Sequence, residues 1–312
     1  MSSPKPVVFI LGPTATGKSS LAMSVANATG SCILNADSVQ VYETIQIGAA
    51  KPSQEELKEV DHFLVGHVHE GDKYTAGQFR QEALEVLKLQ TATRPVLVVG
   101  GSGFYVQALE KGMFELPPTD PAISMEIERS IKEQGSRVLW DEIKKWDPEA
   151  AAKIAPEDTY RVKRALEVLR GQDKTLTQIR EEFKTQTTNL NDIYSVIKVG
   201  LRVDRKKLAR RVRDRVEKML EEGLLHEVES LLAKGLTLWA PLQSVGYKEC
   251  VAVLQGELPE QDLPEAIVTS TMQLAKKQMT WFRKDNEIIW FDSEQEINKA
   301  HQFLLEKLTL SK

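Results

Sequence analysis

The sequence predicts an α/β fold, with a parallel sheet flanked by helices and interrupted by an inserted all-helical domain. Three observations carry that expectation. Short apolar runs alternate with helix-forming stretches in the first third of the chain. A glycine-rich loop joins the first of those runs to the first helix. Beyond the breaker cluster Leu116-Pro-Pro-Thr-Asp-Pro121 the spacing becomes helical and no buried-strand run is found until Tyr194.

Taken in order, Val7–Leu11 reads as a buried strand, residues 12–19 as a loop, and Ser19–Ala28 as a helix. A second apolar run, Cys32–Leu34, ends at Asn35-Ala36-Asp37-Ser38. A third, Pro95–Val99, ends at Gly100-Gly101-Ser102-Gly103 and runs into a helix at Phe104–Leu109. Short apolar strands alternating with helices are the pattern of a parallel sheet covered on both faces. Ligands of such sheets gather beyond the carboxyl ends of the strands, where Asp37 and Ser102 would stand beside the loop. Strand character returns at Tyr194–Val203, followed by a helix at 205–221, further helices to about residue 284 and a last strand at Glu287–Phe291. The expected division is a core of residues 1–115 and 190–312, with residues 116–189 as the helical insertion.

The loop Gly12-Pro-Thr-Ala-Thr-Gly-Lys-Ser19 has the spacing of a phosphate-binding loop and the strand-before, helix-after context that such a loop requires. Backbone N–H groups at a helix N-terminus cradle phosphate oxygens. Gly12, Pro13, Thr14, Ala15, Thr16, Gly17, Lys18 and Ser19 are therefore the expected phosphate cradle, with Lys18 reaching a terminal phosphate and Ser19 ligating Mg²⁺. The core is accordingly expected to be P-loop NTPase-like. An NTPase, however, usually adds a strand ending in a metal-holding Asp and a residue that positions water. Here the Val96–Val99 run ends in glycines and Ser102, and the best strand-terminal carboxylate is Asp37. On residues alone a nucleotide kinase, an NTPase and a transferase that releases diphosphate all remain open.

Asp37 and Ser38, read as a strand-to-helix junction, suit either helix capping or, for Asp37, general-base chemistry on a nucleophile facing the phosphate site. Ser102 either makes a tight turn or faces a ligand that the adjacent glycines admit.

Composition is that of an ordinary globular protein, 41% apolar and 28% charged, with no apolar run long enough to span a membrane and no signal-peptide pattern. The two cysteines, Cys32 and Cys250, lack metal-type spacing, and a cytoplasmic protein is expected. The net charge of −4 hides local basic faces. Residues 202–218 hold nine basic against three acidic side chains, and Arg211, Arg215 and Lys218 share one helical face beside the apolar stripe Leu208, Val212, Val216 and Met219. Arg161 with Arg164, and Lys276, Lys277, Arg283 and Lys284, make two more basic faces, which suggest a polyanionic partner. His62, His67 and His69 show no ligand spacing.

Several segments together resemble the bacterial tRNA dimethylallyltransferases, which isopentenylate an adenine next to the anticodon. They are Gly12–Ser19, Asp37–Tyr42 with Ile47–Pro52, Tyr74–Phe79, Val98–Tyr105, Arg164–Val168, Asp204-Arg205, Val245–Tyr247 and Gln273–Arg283. The resemblance implies that the loop from Thr14 to Ser19 holds the diphosphate of dimethylallyl diphosphate. It implies Asp37 as general base for the exocyclic amine, Ser102 (where threonine is usual) against the target nucleotide, and Arg211 as diphosphate clamp supported by Arg215. Segments contacting tRNA would be Asp37, Ser38, Val39 and Gln40; Tyr160, Arg161, Val162, Lys163 and Arg164; and Gln243, Ser244, Val245, Gly246, Tyr247 and Lys248. The helical insertion would grip the anticodon stem-loop, Mg²⁺ would be the cofactor, and the enzyme is expected to act as a monomer. Tyr160 replaces the usual glutamine; Gln243, Ser244 and Lys248 replace arginine, cysteine and arginine. Asp61–Val68 also departs from the usual text.

Overall fold

The central strands of the sheet are short, largely apolar runs, and in the computed structural model they are buried on both faces. The structure describes residues 5–113, 120–172, 174–186 and 189–309. Residues 116–119 of the proline-rich breaker cluster lie outside them. In chain order the elements are β1 (Val7–Leu11), α1 (Lys18–Thr29), β2 (Cys32–Asn35), α2 (Gln54–Glu59), β3 (His62–Phe63), α3 (Ala76–Gln90), β4 (Val96–Gly100) and α4 (Gly103–Lys111). Then come α5 (Pro121–Gln134), α6 (Ser136–Trp146), α7 (Pro148–Ala151), α8 (Thr159–Gln172) and α9 (Leu176–Gln186). The chain returns with β5 (Val196–Arg202), α10 (Arg205–Glu221), α11 (Leu224–Ala233), α12 (Tyr247–Leu254), α13 (Leu263–Phe282), β6 (Ile289–Asp292) and α14 (Ile297–Thr309).

The chain divides into two units, one up to Glu110 and from Leu190 onward, the other Lys111–Asn189. In the first, six strands form one sheet in the order β3-β2-β4-β1-β5-β6. Every described pairing is parallel, with Val7 opposite both Val96 and Val196. The expected α/β class is thus met. Side chains alternate across a sheet, so Val8 and Ile10 meet Leu21, Val25, Leu97, Val99 and Val199 on the face covered by α1 and α14. The last strand lies at the sheet edge and covers Ile289–Asp292, two residues later at its start than the apolar run indicated.

The second unit has its own core, in which Ile127, Leu139, Ile143, Val162, Leu166 and Leu176 meet. Its helix ends are specified locally. Asp120 caps α5 by accepting from Ala122 N at 2.8 Å, with Pro121 in the first turn. Buried Asp147 accepts from Ala150 N at 3.0 Å and from Thr177 N at 2.9 Å, tying α7 to α9. Burial alone would raise the Asp147 carboxyl, but these hydrogen bonds, with Arg180, outweigh it and hold it low.

Candidate active site

The site is built where the carboxyl ends of β1, β2 and β4 meet. Gly100 ends β4 so close to β2 that a Cβ there would collide with the Ala36 carbonyl. That contact brings the turn after β2 beside the turn after β4. A cavity of about 900 Å³ opens here, lined by Thr14, Lys18, Ser19, Asp37, Gln40, Lys51, Arg211, Arg215 and Gln278 among others.

The phosphate loop leaves β1 and ends in α1, whose first turn carries no acidic residue and so offers its N–H groups to an anion. Thr16 is buried and its hydroxyl donates to Pro13 O at 2.8 Å, fixing the bend of the loop. Lys18 folds back onto the same carbonyl, with Nζ at 2.7 Å. Desolvation inside the loop lowers the Lys18 ammonium to about 8, with Asp37 pulling it up and Arg215 pushing it further down.

The two arginines arrive on α10, which Asp204 caps by accepting from Lys206 N at 2.8 Å. Its stripe Leu208, Val212, Val216 and Met219 is buried, so the neighbouring face is presented to the loop. Arg215 donates to Thr14 Oγ1 at 3.2 Å, and its burial lowers its affinity for a proton. Arg211 donates to Ser293 Oγ at 3.0 Å and Ala15 O at 3.5 Å, and pairs with Glu294 at 3.3 Å. Lys218 shares this face further along α10, but it is exposed, pairs with Glu222 at 3.6 Å and does not line the cavity.

Asp37 is not at a helix start. No helix follows β2 until Gln54, and the residue sits in a turn whose backbone it organises. Its Oδ1 accepts from Val39 N at 2.9 Å and Gln40 N at 3.4 Å, and its own N–H donates to Asn35 Oδ1 at 3.1 Å. The other carboxylate oxygen accepts no hydrogen bond among the described residues. Ser102 Oγ accepts from Ser38 N at 2.9 Å and lies 3.2 Å from Ser38 Oγ, so its hydroxyl joins the two turns.

Buried Asn35 went unnoticed as a site residue in the sequence. Its amide also donates to Leu64 O at 2.9 Å and locks the base of the Asp37 turn. The loop from Gln40 to Pro52 walls the cavity. Gln40 Nε2 donates to Ala49 O and Ala50 O, both at 3.1 Å, and Glu227 accepts from Ile47 N at 2.9 Å. Lys51 caps Tyr42 O and Glu43 O, and desolvation lowers its ammonium to about 8.

The expected RNA-contacting residues divide by exposure. In the first segment Ser38 is exposed, while Val39 and Gln40 are half-buried like Asp37. Tyr160 is 78% exposed; Arg161 pairs with Asp158, Lys163 with Glu128, and Arg164 with Glu167 at 2.8 Å. Gln243 and Lys248 are exposed, Ser244 and Val245 half-buried. Three residues of those segments have no surface to offer. Val162 belongs to the core of the helical unit, Gly246 is buried, and fully buried Tyr247 donates its hydroxyl to Glu227. The apolar requirement of the core claims the first and the last. Lys276, Lys277, Arg283 and Lys284 are exposed and form no ion pair among the described residues.

An anion cradle with one lysine and two arginines, facing a carboxylate across a single cavity, suits displacement of a phosphorylated leaving group by a nucleophile that must lose a proton. Comparison with known proteins decides the family. The IPP transferase model matches residues 40–285. The chain belongs to the IPP transferase family. Among curated relatives of this transferase, the tRNA dimethylallyltransferase of Bdellovibrio bacteriovorus is 44% identical over 287 residues, 92% of each chain. That of Geobacter metallireducens is 40% identical over 289 residues, again 92% of each. The full-length tRNA isopentenylpyrophosphate transferase of Bacillus halodurans superposes with a TM-score of 0.70 at 29% identity, covering 98% of both chains. A eukaryotic dimethylallyltransferase captured acting on tRNA gives a TM-score of 0.80 at 26% identity, covering 96% of this chain and 77% of that one.

Proposed function

We propose that the protein transfers a dimethylallyl group from dimethylallyl diphosphate to N6 of an adenosine next to the anticodon in tRNA, releasing diphosphate. The observation that carries this reading is the sharing of one cavity by Asp37 and the cradle Lys18, Arg211 and Arg215. In the reaction the allylic C–O bond breaks and its electron pair leaves with the diphosphate. A C–N bond forms from the adenine amine, whose proton passes to Asp37. Lys18, Arg211 and Arg215 receive the growing negative charge on the leaving group, where preorganised donors act most strongly. Because the target base belongs to a structured loop, it must leave its stack to reach the cavity.

Mg²⁺ is the proposed cofactor. Ser19 stands exposed at the start of α1 and lines the cavity, giving a hard oxygen donor beside the place of the diphosphate, which is the kind of ligand set this ion prefers. When bound it would neutralise diphosphate charge. Ser102 is read here as the residue that holds Ser38 and hence the Asp37 turn against the entering nucleotide. The exposed residues of the segments at 160–164 and 243–248 are proposed tRNA contacts, with the helical unit gripping the stem-loop. We further read the protein as a cytoplasmic monomer. Two buried free cysteines agree with a reducing compartment, and no helix among the described residues is long and apolar enough to cross a membrane.

Incubation with labelled dimethylallyl diphosphate and an anticodon stem-loop RNA tests the reading. Label in the RNA is the expected result. Phosphate released from ATP with no label in RNA would point to a kinase or NTPase instead.

A further inference from the structure

The phosphate loop and the turn carrying Ser102 are joined by one side chain. Gln278, on α13, accepts from Thr14 N at 3.0 Å through Oε1 and donates to Gly101 O at 3.0 Å through Nε2. The partners fix the amide orientation, since a backbone N–H can only donate and a carbonyl can only accept. Residue 101 must be glycine for this, because a Cβ would strike the Gln278 amide. One helical turn on, the Trp281 ring lies where a Cβ on Gly103 would be. α13 therefore presses on both sides of Ser102.

The two ends of this bridge lead to opposite halves of the reaction. Thr14 Oγ1 takes the Arg215 hydrogen bond, so the donor cradle is one step away. On the other side Ser102 holds Ser38 N, and Ser38 follows Asp37. An unbroken chain thus runs Arg215–Thr14–Gln278–Gly101–Ser102–Ser38–Asp37. We propose that Gln278 is a positioning residue that sets the distance between the diphosphate cradle and the Asp37 turn, and so the approach of the adenine amine to the allylic carbon. This rests on the transferase reading given above. The reacting atoms must close to about 3–3.5 Å, and small misplacements are expensive in rate. Gln278 is given no contact with donor or RNA in this role.

Two near-isosteric variants test it. Gln278→Met keeps the shape and loses both hydrogen bonds. The expected result is a single-turnover rate about 10–100-fold lower, with dissociation constants for dimethylallyl diphosphate and stem-loop RNA within about threefold of wild type. Gln278→Glu keeps the acceptor for Thr14 N–H but can donate to Gly101 O only when protonated. Its rate relative to wild type should therefore rise as the pH is lowered, which a merely structural role would not produce. Amide hydrogen exchange gives a readout without turnover: residues 12–16 and 101–104 should both exchange faster in Q278M. A Q278M rate within about twofold of wild type overturns the proposal, as does a rate loss matched by an equal loss of donor or RNA affinity. So does unchanged exchange in either segment. A wild-type protein that transfers no label would refute the transferase reading, leaving the exchange result to judge the bridge.

Discussion

Lys18 and Pro13 close the phosphate loop on itself, the ammonium resting 2.7 Å from the Pro13 carbonyl. The lysine is thus held ready but is poorly solvated, and its proton is already loosely bound near pH 8.

A pH dependence of donor binding follows. The protonated form of Lys18 is the one that attracts diphosphate. Affinity for dimethylallyl diphosphate should be full below about 8 and weaken as the pH rises through that value. Dimethylallyl diphosphate, a monoester, is already fully ionised in that range, so the trend belongs to the protein. Calorimetric titration on both sides of pH 8 reads it directly, and a flat affinity profile would contradict the role.

Removing the carboxylate should slow chemistry while leaving binding intact. For Asp37→Ala we expect a rate loss of about 10²–10⁴-fold, the usual scale for a missing general base. RNA affinity should stay close to wild type. Because Asp37 Oδ1 also orders the turn to Gln40, Asp37→Asn is the necessary companion: it retains an acceptor there and should be as slow.

Arg215→Ala should weaken dimethylallyl diphosphate binding by about 10–100-fold, the worth of a charge-assisted hydrogen bond or two. Arg215→Lys should recover part of this but not all, since an ammonium cannot span Thr14 and the anion with a planar fork. Equal recovery by lysine would show that only charge matters.

The helical unit is tested by salt. Arg161→Gln should weaken stem-loop RNA binding and lower the slope of log K against log salt concentration by about one counterion. Arg161 is exposed, and its contact with Asp158, just before α8, is a surface ion pair of the kind that contributes little, so a phosphate can compete for the guanidinium. An unaltered slope would remove it from the interface.

On β5, Lys198 is buried and pairs with Glu110, Asp285 at 2.9 Å and Glu287 at 2.7 Å. Burial opposes its charge, yet the three carboxylates more than compensate and raise its hold on the proton. Lys198→Met leaves buried Glu110 uncompensated and should lower stability by about 3–5 kcal/mol, as measured by urea unfolding.

The parts of the fold that the sequence revealed are those specified by near neighbours. The run Val7–Leu11, the glycine loop and the start of α1 lie within a single short stretch, and α10 announces itself through its four-residue apolar spacing. α14 had a comparable signal in Ala300, Leu304 and Leu308, which went unread. α3 was hidden because its first turn looks like loop text; the Thr75–Gln78 capping box that starts it was the available cue. At the site, Asp37 could be found because it ends a strand, whereas the absence of a following helix could not. Gln278 was out of reach, since its partners are backbone atoms 264 and 177 positions away. Tyr247 illustrates the opposite error. A motif residue looked like an RNA contact, and the packing around it has taken it into the core.

The discontinuous core has a consequence for how the protein is made. The cradle at residues 12–19 is made well before its partners: β1 gains its second neighbour only with β5, and Arg211, Arg215 and Gln278 come later still. Meanwhile the helical unit, with a core of its own, can fold as soon as Asn189 emerges. A nascent chain halted just after the helical unit would thus present a finished helical module on an unfinished enzyme, unable to hold its donor until α13 has been synthesised.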